Sequence, residues 1–306
     1  MKLSGNFISK EYSKYYGFYI RGFYALQNTE YYFIFLSVVY IITLLANFLI
    51  MSIIFFAESL HTPKYFAVFS LAVVDVSYST AIIPKAIHTF LFNSRFVYFD
   101  TCLTQLFFVH YFCSLESFAL CVLAYDRLIA ICFPLRSNIL NSNSRMTLII
   151  MISWTVPLVV VIIMVSLIPR LPYCKTTVVN SYFCDHGPVF KIAFACFFVP
   201  FAFIVITYIF IVNALLKIAS SESRWKAFKT CSTHLTLVTI FFTPILVTYL
   251  VAWVNVNIDT DTRILNTSLS ATIPPLLNPI IYTLKTEEIM EHIRKFAKRR
   301  KTNALC

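Results

Sequence analysis

Seven stretches of mostly apolar residues recur along the chain, each about 20 residues or longer, the length needed to cross the hydrocarbon core of a bilayer. They run Tyr31 to Ala57, Tyr65 to Pro84, Thr101 to Tyr125, Met146 to Pro169, Ile192 to Leu216, Thr230 to Ile258 and Ile264 to Leu284. The first, fourth and fifth are uncharged; the second holds one acid, Asp75, and the third one, Glu116. Backbone polar groups in lipid must be satisfied within the segment, so such runs become helices. An all-α, seven-helix transmembrane bundle is the predicted fold, as a single domain: residues 1–30 outside, 31–284 in the bundle, 285–306 as a cytoplasmic tail.

Composition agrees. The 306 residues are 59% hydrophobic and 13% charged; soluble domains carry about twice that charged fraction. The net charge of +11 would suggest nucleic acid in a soluble protein. Here the basic residues flank apolar runs, and no zinc-finger spacing, basic helix or RNA-binding aromatic motif accompanies them. They read instead as a topology signal. With the amino terminus outside, Lys64, Arg127, Arg136, Arg145, Lys217 to Lys229, Lys285 and the cluster Arg294 to Lys301 fall inside, against fewer basic residues outside. No cleavable signal precedes the first span, which is expected to act as the anchor. In the tail, Ile289, Ile293 and Phe296 recur at helical spacing between Thr286 and Lys301. They predict a short amphipathic helix on the inner leaflet, rather than a solvated basic tail.

Four of nine cysteines fall on the outer side: Cys102, Cys174, Cys184 and Cys196. An even number in an oxidising compartment predicts two disulfides, with three connectivities open. Zinc is the rival, with His186 nearby, but the spacings match no zinc pattern.

Ionisable groups within spans are costly and therefore point to function. Asp75 and Glu116 lie near the middle of neighbouring spans. Two adjacent carboxylates do not both ionise cheaply, so one holds a proton or a cation bridges them, sodium being suitable; a hydrogen-bonded structural pair is the alternative. Asp126 and Arg127 end the third span, where they can pair at rest and part when the bundle opens. Prolines at 157, 200, 244, 274, 275 and 279 bend helices and free carbonyls, which suits a two-state switch and a transporter equally.

The third span closes with Leu-Ala-Tyr-Asp-Arg-Leu-Ile-Ala-Ile-Cys-Phe-Pro-Leu, residues 123–135. This resembles the Met-Ala-Tyr-Asp-Arg-Tyr-Val-Ala-Ile-Cys-x-Pro-Leu signature of vertebrate odorant receptors, rhodopsin-like G-protein-coupled receptors. The segments Leu60–Phe66 (Leu-His-Thr-Pro-Lys-Tyr-Phe), Lys226–Leu235 (Lys-Ala-Phe-Lys-Thr-Cys-Ser-Thr-His-Leu) and Pro274–Tyr282 (Pro-Pro-Leu-Leu-Asn-Pro-Ile-Ile-Tyr) resemble that family's motifs in the right order. The resemblance implies a receptor for a small-molecule odorant that activates a stimulatory olfactory-type G protein and raises cyclic AMP. It implies bonds Cys102–Cys184 and Cys174–Cys196, and an internal polar network of Asn47, Asp75, Asn278 and Tyr282, with Glu116 beside the possible sodium position. It also implies a G-protein face of Asp126, Arg127, Tyr208, Lys226, Lys229 and Tyr282. The ligand is expected beneath the cysteine-rich loop, among Val109, His110, Cys113, Ser114, Ile245 and Tyr249, a mostly apolar wall with a few polar groups. His110 orients a polar ligand group there or bonds a backbone carbonyl.

Departures from the family pattern are Leu128 for Tyr, Leu123 for Met, Ala46 for Gly, and Phe241-Phe242-Thr243-Pro244 for Phe-Tyr-Gly. They suggest a divergent lineage, such as a fish-type member. Val109 stands where aminergic receptors hold an acid, and Ile264–Leu284 contains no Lys for a retinal Schiff base. The other functional classes are a seven-span transporter or channel, which needs a continuous polar pathway, and a non-olfactory small-molecule receptor of the same fold. No nucleophile–base or paired-metal motif suggests an enzyme.

Overall fold

The computed structural model describes residues 17–23, 28–168, 178–179, 181–184, 190–254, 259–286 and 288–295; the side chains of 190–196, 249, 251–253 and 285 lie outside that description. Seven long helices follow one another: α1 Thr29–Phe56, α2 Pro63–Leu91, α3 Phe99–Cys132, α4 Asn143–Leu167, α5 Phe190–Leu216, α6 Ser221–Trp253 and α7 Thr260–Lys285. An eighth, α8, spans 288–295. Within the described residues every predicted span lies on a helix, and six of the seven meet the length and hydropathy expected of a membrane crossing.

The exception is α7, because its polar residues face inward. Ser268, Thr272 and Asn278 are all buried, and the Ser268 hydroxyl meets that of Tyr32 on α1. By contrast α1 turns Phe35, Ile42 and Phe48 outward, α4 Ile152 and Val159, and α5 Ile206 and Phe210. Apolar outside and polar inside is the arrangement a lipid solvent selects. The protein is a multi-pass membrane protein.

Helix boundaries depart from the predicted ones for local reasons. Helix α2 passes through Pro84 to Leu91, because Ala86 and Thr89 beyond it are buried against the bundle. Helix α6 starts nine residues before the predicted Thr230, at Ser221. There the Ser220 side chain accepts the Ser223 amide, and Glu222 pairs with Lys226 one turn on at 2.7 Å. Hydropathy misses this polar turn because it projects beyond the hydrocarbon. Pro63 starts α2 at a first-turn position, where a missing amide costs nothing.

One end of the bundle carries a disulfide, Cys102–Cys184, and a small sheet that the sequence did not announce. Strand β1 (Phe18–Ile20) lies between β2 (Phe96–Val97) and β3 (Val178–Val179), antiparallel to the first and parallel to the second. Phe18, Ile20, Val97 and Val179 bury their side chains against the two bridged cysteines. Gly22 follows at a positive φ of 66°, and a Cβ there would sit 2.1 Å from the Phe90 ring, so only glycine fits.

At the opposite end, α8 docks under α2. Ile289 is fully buried and Ile293 packs on the same core, while Lys64 approaches Glu288 at 3.8 Å. The described part of the predicted tail helix is therefore present; Phe296 and Lys298 to Lys301 lie outside the described residues.

Candidate functional site

The bundle interior holds three groups of residues, stacked along its axis. Nearest the disulfide, the loop residues Tyr182 and Phe183 are buried on a cluster formed by Phe33, Tyr78, Ile82, Val109, Ile264 and Ala271. The disulfide pins them there, and two weaker contacts help. The Cys184 amide donates to Gln105 Oε1 at 3.4 Å, and the Tyr182 hydroxyl donates to the Thr267 carbonyl at 3.5 Å.

Val109 lies seven residues, about 10 Å at helical rise, below Cys102, directly under this lid. Cys113 is one turn deeper and packs against both the lid cluster and the larger core. Ile245 joins that larger core from α6. Ser114 is buried and His110 half-buried. The fold thus brings Val109 and Cys113 onto one face of α3, with Ile245 packed against the larger core from α6. The Tyr249 side chain lies outside the described residues, as do Cys174 and the side chain of Cys196, so their predicted pairing falls outside them too. Asn266, which opens the glycosylation-type triplet Asn266-Thr267-Ser268, sits within α7, where its Nδ2 donates to Thr248 Oγ1 at 2.7 Å and to the Pro244 carbonyl at 3.2 Å. This contact ties α7 to α6 beside its proline.

The middle layer is polar. Asn278 Nδ2 donates to both oxygens of Asp75, at 2.9 and 3.2 Å. Asn47 Nδ2 donates to the Pro275 carbonyl at 3.1 Å. That carbonyl needs a partner, because the residue four positions on is Pro279, which has no amide to offer. Asn47 therefore repairs the α7 ladder from α1. Glu116 is fully buried and shares the Asn278 side chain with Asp75. It lies close enough to Asp75 for the two charges to interact.

The layer farthest from the disulfide contains the paired Asp126 and Arg127, 2.7 Å apart. The second Asp126 oxygen accepts from Asn141 Nδ2, also at 2.7 Å. Close by, His234 joins three helices. Its Nε2 lies 2.9 Å from the Leu120 carbonyl of α3, which can only accept, so Nε2 carries the proton. Its Nδ1 lies 2.8 Å from the Tyr208 hydroxyl of α5, and the two rings stack. Tyr282 is buried, whereas Lys226 and Lys229 are exposed.

His234 belongs to the Lys226–Leu235 motif expected at the G-protein face, but the motif does not name its partners; its isolation in an apolar span is the available signal. His234→Phe keeps the stack and removes both hydrogen bonds. Net losses of about 1 to 3 kcal/mol are usual for such a pair, so the detergent-solubilised protein should melt several degrees lower. An unchanged melting temperature would show that the α3–α5–α6 junction does not depend on this imidazole.

The comparisons with known proteins agree with this geometry. The family model described as olfactory receptor matches residues 36–300. Olfactory receptor 4E2 of Mus musculus is 36% identical over 278 residues, 85% of this chain and 88% of its own length. Olfactory receptor 10G4 of Homo sapiens is 36% identical over 84% of this chain and 87% of its own, and olfactory receptor 52B2 of Homo sapiens 33% identical over 88% and 89%. The chain belongs to the olfactory receptor family of G-protein-coupled receptors, which are receptors and not enzymes.

Proposed function

We propose that the protein binds a small-molecule odorant inside the bundle, beneath the Cys102–Cys184 lid, and activates a stimulatory olfactory-type G protein that raises cyclic AMP. It sits in the plasma membrane with its amino terminus outside and its carboxyl terminus in the cytoplasm. The observation that carries this reading is the polarity of the bundle. A covalently pinned apolar lid closes one end. A releasable ion pair, Asp126–Arg127, stands at the other. A disulfide belongs to an oxidising compartment, which supports a lid on the outer side and an ion pair on the inner side.

Val109, His110, Cys113, Ser114, Ile245 and Tyr249 form the ligand walls in this reading. Asp126, Arg127, Tyr208, Lys226, Lys229 and Tyr282 form the G-protein face. The test is expression in cells with and without a stimulatory G-protein α subunit, reading cyclic AMP against a panel of odorants and amino acids. A ligand-dependent rise that requires the α subunit is the expected result. Ion currents or solute uptake that persist without any G protein would favour the transporter class instead.

The burial of two carboxylates, Asp75 and Glu116, around the one Asn278 amide supports a further element of this reading, a sodium ion held by Asp75 and Glu116. The chemistry fits: two buried carboxylates with free lone pairs suit a hard cation that takes oxygen ligands. Replacing external sodium by N-methylglucamine should shift ligand potency about fivefold, a typical coupling. Glu116→Gln should abolish that shift. Equal potency in both salts for the unaltered receptor would leave the carboxylates sharing a proton.

A further inference from the structure

A groove of about 770 Å³ runs between α2 and α3 at the disulfide end, outside the bundle core. Its upper part holds one cation, Lys85, and one anion, Asp100; Thr104 and Gln105 follow, and Phe108 and Phe112 line its apolar part. Phe108 and Thr104 are exposed, so the groove opens on the face that meets lipid. On its α1 side the hydroxyls of Tyr40 and Thr80 are 3.1 Å apart.

Lys85 is six residues short of the end of α2 at Leu91, about 9 Å below it at helical rise. A lysine at that depth is costly unless its ammonium reaches water or an anion. Among the described residues Lys85 enters no ion pair and no hydrogen bond, and neither does the carboxylate of Asp100. Asp100 is the second residue of α3, a place that favours a negative charge. Two opposite unpaired charges therefore head a groove whose lower wall is aromatic.

We propose that this groove seats one zwitterionic phospholipid of the outer leaflet, with its phosphate on Lys85, its quaternary ammonium at Asp100 and an acyl chain along Phe108 and Phe112. Both head-group charges find a complement there, which a purely anionic or neutral lipid does not match. Gln105 connects the groove to the lid, since its side chain also accepts from the Cys184 amide and donates to the Ala81 carbonyl. The lipid thus supports the wall from which the lid hangs. The assignment to the outer leaflet rests on the orientation proposed above. Lipid retention does not involve signalling, so its failure leaves the receptor reading standing.

The test is native mass spectrometry of the delipidated full-length receptor, offered equimolar dioleoylphosphatidylcholine and dioleoylphosphatidylglycerol. The unaltered receptor should retain one phosphatidylcholine in preference to phosphatidylglycerol. Lys85→Gln should lower that retention about tenfold, the usual cost of a lost charge-assisted contact. Asp100→Asn should remove the preference between the two lipids, and Thr104→Trp, which fills the groove, should remove the adduct. Equal retention of both lipids by the unaltered receptor, or no adduct at all, overturns the proposal. So does an adduct indifferent to both Lys85→Gln and Thr104→Trp. Should a variant fail to fold, the competition on the unaltered receptor decides alone.

Discussion

Cys184→Ser should reduce the receptor at the cell surface to a small fraction of the unaltered amount and abolish any ligand response. The bridge it removes joins residues 82 apart in sequence, with their Cα atoms 5.3 Å apart. Closing a loop of that length is worth about 4 to 5 kcal/mol in the chain-entropy account, a large share of any membrane bundle's margin. The local structure gives a second reason. Cys184 follows Tyr182 and Phe183, which cover Val109 and Tyr78, and β3, which pairs with β1, lies just before them. With the bridge cut, the lid keeps its apolar packing and hydrogen bonds of 3.2, 3.4 and 3.5 Å at the Gly22 amide, the Cys184 amide and the Tyr182 hydroxyl, but no covalent tie. Its aromatic rings then have access to water and to other chains. Surface immunostaining and a detergent melt measure the effect. Cys132→Ser is the control, because Cys132 is a free thiol whose described contact is a 3.8 Å approach to the Phe210 carbonyl. Unaltered surface density and melting temperature in Cys184→Ser would show that packing alone holds the lid.

Arg127→Ala should leave the receptor at the surface and remove ligand-dependent cyclic AMP. Arg127 donates to one Asp126 oxygen while Asn141 donates to the other, both at 2.7 Å. Truncating the arginine leaves Asp126 the Asn141 hydrogen bond but no cation, a loss read as surface density, so cyclic AMP is compared per receptor at the surface. The G protein loses the cation that the open state is proposed to offer. The reverse substitution is as informative. The pair is mostly buried, with 13% and 7% of the side chains exposed. Breaking such a pair from one side costs about 3 to 5 kcal/mol, because the remaining charge is left uncompensated. Asp126→Asn therefore raises the resting state relative to any state in which Arg127 reaches another partner. It should increase cyclic AMP in the absence of ligand several-fold. Normal signalling by Arg127→Ala would remove this residue from the proposed G-protein face. An unchanged baseline in Asp126→Asn would show that the ion pair does not restrain the resting state.

Much of the architecture was legible before any coordinates. The seven spans were found because hydropathy is a local property: a run of apolar residues needs no knowledge of its neighbours to be recognised as lipid-compatible. Even α7, the least apolar of them, was located from Ile264 to Leu284, since its polar residues are spaced among aliphatic ones. The family followed from four motifs in order. Three of these motifs contain Asp126, His234 and Asn278, whose contacts join helices far apart in sequence or hold a helix end. Placing Asp75 and Glu116 on neighbouring helices also anticipated one buried polar layer.

The remainder depended on distance across the chain. Strands β1, β2 and β3 have two or three residues each, too few for an alternating pattern to register, and their pairing joins Phe18 to Val97 and Ile20 to Val179. That Asn47 repairs the carbonyl orphaned by Pro279 joins residues 228 apart. The groove headed by Lys85 and Asp100 takes its walls from two helices, α2 and α3, so no single segment reveals it. By itself, the sequence determined the solvent this protein folds in, its seven long apolar helices and its family, because each is encoded in runs and motifs of adjacent residues. Only the tertiary structure decided which polar atoms meet across those helices and which are left open, because a partner is chosen by the rotation and depth of two helices at once, and neither appears in a single segment.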